Sequence, residues 1–194
     1  MPCVGSTGEQ HSLKQDYEEK EVPNNAQAEG GIMSKLFLVV CLLCVSASAA
    51  MAQGKVDSQW NCGKATVGHS IDVGDQPGHA YAIGQYSCTA AKGELEGLKE
   101  KEGLLTQFDD VKGDASRYRG VFIDTLANGE KVYVSYEGTT SIENGHMQAF
   151  SDAWSITDGT GKFKGAKGKG TCKGKFNPDG SFTFACAGNY TLAK

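Results

Sequence analysis

Apolar and polar residues alternate in short runs through residues 53–194, and Gly, Asn, Asp and Pro separate the runs. A period of two is typical of strands that bury one face. Only residues 91–103 have a helix-like composition, and their glycines disfavour a helix. The pattern therefore predicts an antiparallel all-β domain. About eight strands are predicted, near 60–73, 79–89, 104–113, 117–126, 131–141, 146–157, 168–177 and 181–192.

Eight antiparallel strands can close into a barrel whose lumen holds side chains or one small ligand. Closure also removes the strand edges that an open sandwich would have to protect. We therefore predict an eight-stranded antiparallel barrel, with an open sandwich as the alternative.

The last hairpin is fixed by the Pro-Asp-Gly turn at 178–180, which has glycine at its left-handed position. Centring the hairpin on this turn places Cys172 directly opposite Cys186. Directly opposed residues have α-carbons at a separation that a disulfide can span. We therefore predict a Cys172–Cys186 disulfide. The other face of the hairpin carries lysines and small polar residues and is predicted to face solvent.

The remaining cysteines of residues 53–194 are Cys62 and Cys88, and a turn-rich stretch at 74–78 lies midway between them. The same hairpin geometry predicts a second disulfide. The alternative is a zinc site in which the cysteines join His69 and His79. The short Cys-x-x-Cys spacing that is typical of such sites is absent from these cysteines.

Two Asn-Gly turns, at 128–129 and 144–145, organise the central strands. If each is a two-residue hairpin loop, one face of three consecutive strands carries mainly β-branched and small side chains, which suits the inside of a barrel. This predicted inner face comprises Val121, Ile123, Thr125, Val132, Val134, Tyr136, Met147, Ala149, Ser151, Ala153 and Ser155.

The same register places Glu137 opposite Asp152 on the other face, and Asp124 opposite Tyr133. Facing carboxylates among aromatic rings can raise the pKa of one carboxyl group and provide a general acid or base. The candidate catalytic residues are Glu137, Asp152, Asp124 and Tyr133, and the candidate ligand-binding residues are Trp154, Phe150 and Phe122. We expect this face to be the barrel exterior, with its aromatic residues in an oligomer contact and its carboxylates paired with lysines. A one-residue bulge would exchange the two faces.

Residues 33–52 have the features of a secretory signal peptide: a lysine, ten apolar residues over 36–45, and small residues up to Ala52. We expect cleavage after Ala52, a secreted or periplasmic protein, and no stable membrane anchor. Lipid attachment at Cys41 or Cys44 is the alternative. Residues 1–32 are polar and acidic, so we expect a disordered extension there, with Met33 as the natural first residue.

Residues 53–194 contain sixteen Lys and Arg and seventeen Asp and Glu residues, which gives no general attraction for nucleic acid. The lysine-rich stretch 158–176 lacks the glycine spacing of Walker-type and dinucleotide phosphate loops. Its lysines Lys169, Lys173 and Lys175 share one strand face. A solvated face that aids solubility is the simplest interpretation, and a binding face for polyanions or lipid headgroups is the alternative.

The segment Gly-Thr-Gly-Lys-Phe-Lys-Gly-Ala-Lys-Gly at 159–168 resembles the G-T-G-x-F-x-G-A-x-G motif of allene oxide cyclase and dirigent-type barrels, and of small exported bacterial proteins of unknown role. The motif covers ten residues, and the strand count extends the likeness loosely over 53–194. The resemblance implies a calycin-like, often trimeric barrel whose apolar lumen binds or shapes a small hydrophobic molecule. Only the glycine motif matches, so no active-site residue is carried over, and the two predicted disulfides depart from the plant pattern.

Together these features predict an exported barrel that binds a small apolar molecule or serves as a structural or interaction module of the cell envelope. A cofactor-free cyclase or isomerase acting on a small hydrophobic substrate is the alternative. A polyanion or headgroup binder is the second alternative. We expect no cofactor, no metal and no nucleic-acid partner, and the partners we consider are a small hydrophobic ligand and further copies of the chain.

Overall fold

The computed structural model describes residues 53–194, which form ten strands and one 3-10 turn. The predicted extension and signal peptide, 1–52, lie outside the described residues. The strands are β1 (Gln53–Cys62), β2 (Val67–Asp72), β3 (His79–Lys92), β4 (Glu94–Leu95), β5 (Leu98–Lys112), β6 (Ala115–Leu126), β7 (Lys131–Glu143), β8 (His146–Gly159), β9 (Lys167–Phe176) and β10 (Phe182–Thr191), and the 3-10 turn is Gly161–Phe163.

Eight of these strands close into an antiparallel barrel. The order is β1, β10, β9, β8, β7, β6, β5 and β3, and β3 pairs with both β5 and β1. The two short strands are additions: β2 pairs with β3, and β4 pairs with β5. The predicted eight-stranded barrel is therefore confirmed. Within 53–194 no helix has the length and apolar character to cross a membrane.

The structure corrects two segments of the predicted strand pattern. The predicted strand 60–73 is two strands, because β1 ends opposite the first residue of β10 and β2 then pairs only with β3. Residues 91–103 hold the end of β3, β4 and the start of β5. A tight turn at Glu96 and Gly97, both with positive φ (51° and 77°), reverses the chain there.

Both predicted disulfides are present. The register of the last hairpin places Cys172 opposite Cys186, with α-carbons 4.1 Å apart. Cys62 lies opposite Cys88 where β1 meets β3, with α-carbons 4.0 Å apart. The zinc alternative is therefore wrong, because the four sulfur atoms form two disulfide bonds and leave no thiolate to bind zinc.

The predicted register of the central strands is wrong by one residue for two separate reasons. At the first Asn-Gly turn, the amide of Leu126 donates to the carbonyl of Glu130 at 2.9 Å, which makes a three-residue loop with only Gly129 at positive φ (87°). The second turn is the expected two-residue loop, since Asn144 and Gly145 both have positive φ (52° and 76°). A β-bulge then shifts the β7–β8 register between Thr140 and Ile142.

These shifts turn over the faces of β6 and β8, whereas β7 keeps its predicted orientation, with Val132, Val134 and Tyr136 on the lumen. Glu137 lies opposite Ala153 rather than Asp152, and Asp124 lies opposite Val132 rather than Tyr133. The expectation that the aromatic and carboxylate face is the exterior is wrong for five residues that line the lumen: Phe122, Asp124, Phe150, Asp152 and Trp154. On β6 and β8 the face predicted to be inside is largely outside, and Val121, for example, is 47% exposed.

The glycine-rich motif closes one end of the barrel. Phe163 and Ala166 are fully buried there, and Phe163 packs near Tyr190 with ring centroids 6.5 Å apart. The Asp158 carboxylate accepts the amide hydrogens of Gly159 at 2.8 Å and of Gly165 at 2.7 Å, which fixes the loop and lowers the pKa of Asp158. The motif is thus a structural plug.

Inward glycines make room for the aromatic rings of the lumen. Gly170 on β9 and Gly188 on β10 lie opposite each other beneath the indole of Trp154. A β-carbon added at either position would lie 2.4 Å from that ring, which is closer than atoms pack. Gly170 of the lysine-rich stretch and Gly188 therefore leave the space in which the indole of Trp154 lies.

Candidate functional site

The lumen contains a cavity with ≈ 80 Å³ of space for the centre of a water-sized sphere. On that measure one water needs roughly 10–15 Å³, so the cavity has room for a small organic molecule. Its wall is mainly aromatic and aliphatic. Its tryptophan and phenylalanine side chains are Trp60, Phe122, Phe150, Trp154, Phe176, Phe182 and Phe184.

Two carboxyl groups meet at the plugged end of this cavity. Glu100 comes from the start of β5 and Asp124 from the end of β6, and both side chains are buried. Ser58 of β1 donates its hydroxyl hydrogen to Glu100 Oε1 at 2.8 Å. Burial is the main reason that the pKa of each carboxyl is raised, and for Asp124 the negative charge and hydrogen bond of Glu100 raise it further. The pair therefore shares a proton, with Asp124 as the protonated partner.

Asp152 of β8 is a third carboxyl group on the cavity wall. The Tyr118 hydroxyl donates to Asp152 Oδ2 at 3.1 Å, whereas Oδ1 is buried and has no hydrogen-bond partner. Burial raises the pKa of Asp152 to about 6, although the bonds from Tyr118 and from the backbone of Cys172 act in the opposite direction. Asp152 is consequently ionised at neutral pH and titrates close to it.

A hydrogen-bonded polar cluster is centred on Asp109 of β5. The Gln107 amide donates to Asp109 Oδ1 at 3.0 Å, and the Ser116 hydroxyl donates to the same oxygen at 3.1 Å. Tyr136 donates its hydroxyl hydrogen to Gln107 Oε1 at 3.3 Å. Burial raises the pKa values of Asp109 and Tyr136, so the phenol remains a donor. Because these groups bond to each other, the cluster is a support for the wall.

Trp154 contributes an unused donor to the same cavity. Its side chain is 5% exposed, and its indole Nε1 has no hydrogen-bond partner. Buried indole N–H groups usually find an acceptor. The cavity thus presents a free donor from Trp154 and a free acceptor from Asp152.

No positive side chain balances these carboxyl groups. Among the described residues that line the cavity, none is Lys, Arg or His. The ion pairs found within 53–194 involve Asp57, Asp75, Glu102 and Asp110, which lie outside this set. The interior therefore carries net negative charge at neutral pH.

The structure brings together five of the seven residues predicted for catalysis or ligand binding: Asp124, Asp152, Phe122, Phe150 and Trp154. The other two point outward, since Glu137 is exposed and Tyr133 lies half-buried on the outer face beside Ile123. Glu137 and Tyr133 keep the outward position that the sequence predicts, because the register shifts turn β6 and β8 over and leave β7 as predicted.

Sequence reasoning missed Glu100. A register shift between Glu100 and Glu102 interrupts the alternation that otherwise runs inward through Gly103 and Leu105. Strict alternation from those residues would have turned Lys101 inward instead. The sequence carries no local signal for this bulge. The inward position of Glu100 is therefore apparent only from the tertiary structure.

The predicted basic face lies on the outside of β9. Lys169, Lys173 and Lys175 are all exposed, opposite Asn189, Ala185 and Thr183 of β10. The predicted solvent face is confirmed.

Comparison with known proteins gives a structural likeness and no sequence relative. Neither a scan against protein-family models nor a search of curated proteins found a match. A crystal structure of a protein of unknown function from the DUF3224 family of Shewanella oneidensis MR-1 is similar to this chain. Its TM-score is 0.43 at 12% sequence identity, over 73% of this chain and 98% of that chain.

Proposed function

We propose that this protein binds a small, largely apolar molecule inside the barrel. The observation that carries the proposal is the pair of unpartnered polar atoms, Trp154 Nε1 and Asp152 Oδ1, on the wall of one aromatic cavity. Ligand sites typically combine apolar walls with a few polar groups that fix orientation. A ligand with a donor and an acceptor would satisfy both atoms.

Energetics support a functional origin for these groups. A buried polar atom without a partner costs about 1–3 kcal/mol, and an apolar replacement would avoid that cost. The barrel keeps three carboxyl groups on its cavity wall, Glu100, Asp124 and Asp152. Sites that sacrifice stability in this way are typically functional.

The protein is proposed to act outside the cytoplasm. Its two disulfides are typical of an oxidising environment. The predicted signal peptide at 33–52 supports secretion or a periplasmic location.

Filling the cavity should weaken ligand binding. Val134 lines the cavity, whereas Val121 points outward on the neighbouring strand. V134F is expected to weaken binding of 2-phenylethanol by about tenfold or more, because the added ring occupies the ligand's space. Isothermal titration calorimetry measures the affinity.

V121F is the matched control and is expected to bind like the wild type. Thermal unfolding of both variants shows whether the barrel is intact. If V134F is folded and binds with wild-type affinity, or if the wild-type barrel binds no small apolar probe, lumenal binding is wrong.

A cofactor-free isomerase or cyclase is the second candidate function. The observation that favours it is that one cavity holds carboxyl groups in different protonation states: Asp124 retains a proton, and Asp152 is ionised at neutral pH. Such a pair can supply a general acid and a general base. Tyr118 would hold Asp152 in place during proton transfer.

Proton abstraction can be tested without the natural substrate. The wild-type protein is expected to accelerate exchange of the acidic carbon-bound hydrogens of 1-phenyl-2-propanone with D₂O, monitored by proton NMR. D152N is expected to lower that rate by about a hundredfold, because it removes the base. E137Q, on the outer face, is the control. Equal rates for D152N and the wild type would eliminate Asp152 as the base.

A further inference from the structure

We propose that the ligand of the lumen is a small organic cation, specifically an amine with an apolar body. This inference rests on the proposed lumenal binding and adds the chemical class of the ligand. It is carried by three carboxyl groups that line one aromatic cavity without a positive side chain among the lining residues.

The three carboxyl groups line the cavity, and each has a buried oxygen atom with no hydrogen-bond donor from the surrounding side chains. Asp124 is 4% exposed, and its Oδ1 has no partner outside the carboxyl pair. Oδ1 of Asp152 is buried and unpartnered, and Oε2 of Glu100 is buried with no partner outside the carboxyl pair. An independent observation, the unpartnered Nε1 of the 5% exposed Trp154, marks the same cavity as a binding site.

The neighbouring groups cannot neutralise this charge. Asp152 faces the neutral phenols of Tyr118 and Tyr136, on β6 and β7, and the backbone of Cys172 on β9. The other titratable group near Tyr118 is Asp109 on β5, a further carboxyl group, which can supply no positive charge. A buried charge is costly unless an opposite charge compensates it, so a cationic ligand is favoured.

The carboxyl pair at the plugged end is surrounded in the same way. Ser58 of β1 donates one hydrogen bond to Glu100, and the shared proton satisfies part of the pair. The acidic group beyond them, Glu96, accepts the hydroxyl hydrogen of Tyr190 at 2.7 Å. The cation closest to this group is Lys162, whose Nζ donates to the backbone carbonyl of Glu96 at 3.4 Å, and Lys162 is not among the residues that line the cavity.

The aromatic wall suits a cation equally well. Ring faces attract positive charge, and Trp is the strongest of the aromatic side chains in this respect. Trp154 and Phe150 lie on the same wall as Asp152, two residues to either side along β8. An ammonium group can therefore contact a carboxylate while the apolar body packs on rings.

Three probes of similar shape and different charge test the proposal: 2-phenylethylamine, 2-phenylethanol and phenylacetate. Calorimetry at pH 7 is expected to give the amine an affinity about tenfold or more above that of the alcohol, and phenylacetate an affinity below it. D152N is expected to reduce amine affinity by about tenfold more than alcohol affinity. E100Q, which replaces the partner of the protonated Asp124, provides a second variant if D152N is unfolded, and E137Q on the outer face is the control.

Acidification provides a second readout. Asp152 has a pKa raised to about 6, so it is ionised at pH 7 and mostly protonated at pH 5. An alkylamine, with a pKa of about 10, stays protonated over this range. The preference for amine over alcohol is therefore expected to shrink from pH 7 to pH 5 in the wild type and to change less in D152N.

The outcomes separate the two proposals. If the wild type binds the alcohol as tightly as the amine, the cation inference is wrong and lumenal binding stands. An amine preference that survives both D152N and E100Q also overturns the inference, because the preference then arises elsewhere. If neither the amine nor the alcohol binds, and V134F behaves like the wild type toward both, the proposed function falls together with the inference.

Discussion

The free energy of unfolding is expected to rise by about 4 kcal/mol or more when the pH is lowered from 8 to 5. The main cause is Asp124, whose pKa burial and Glu100 raise far above its usual value. Over this range the folded chain holds a proton at Asp124, whereas the unfolded chain, with an ordinary aspartate pKa near 4, has lost it. Stability is therefore greatest at the acid end and falls as the pH rises.

The other carboxyl groups with a shifted pKa do not reverse the rise of the free energy of unfolding on acidification. The pKa values of Asp109 and Asp152 are raised by burial too, so they add stability on acidification. The carboxyl groups with lowered pKa, Asp75, Glu102, Asp158 and Asp179, are on the surface. Their stabilisation is lost only near and below pH 4, outside this window.

Urea unfolding at pH 8, 6.5 and 5 measures this dependence. D124N, whose amide can bond to Glu100 without titrating, is expected to lose most of the slope, and E137Q on the exterior is expected to keep it. A wild-type stability that is flat or falls on acidification would contradict the shared proton at the end of the lumen.

Replacing Cys62 and Cys88 together with Ala is expected to lower the free energy of unfolding by about 3.5 kcal/mol, because their disulfide restricts the unfolded chain. The two residues are 26 apart in sequence. The same change at Cys172 and Cys186, which are 14 apart, is expected to cost about 3 kcal/mol. Denaturant unfolding of each double variant measures the loss.

A reducing agent supplies the control for these variants. Reduced wild-type protein is expected to unfold at a denaturant concentration close to that of the variant lacking all four cysteines, and the reagent is expected to leave that variant unchanged. A double variant with wild-type stability would show that the corresponding disulfide restricts little in the unfolded chain.

The disulfides and the buried carboxyl groups have opposite effects on the stability of the barrel. The disulfides stabilise the sheet where β1 meets β3 and where β9 meets β10. The buried carboxyl groups oppose that stability at neutral pH. A lumen filled only with apolar side chains would be more stable, so the carboxyl groups are best explained by binding or catalysis.

Local sequence determined the features that depend on neighbours in the chain. The alternation of residue types predicted the strands, and the Pro-Asp-Gly turn predicted the register of the last hairpin down to Cys172 and Cys186. Glycine and aspartate fix the conformation of such a turn through their own backbone preferences. Because side chains alternate between the two faces of a strand, this register also predicted the Cys172–Cys186 disulfide and the outward position of the lysines.

The tertiary structure decided which face of the central strands is inside. The Asn-Gly turn at 128–129 is compatible with a two-residue and a three-residue loop. The three-residue loop forms, and its register buries Phe122 and Asp124. The bulges beside Thr140 and Glu100 likewise arise from fitting strands around a closed barrel. Since one residue of register exchanges the faces of a strand, the sequence by itself determined the barrel and its disulfides, and closure alone decided that the carboxyl groups meet inside it.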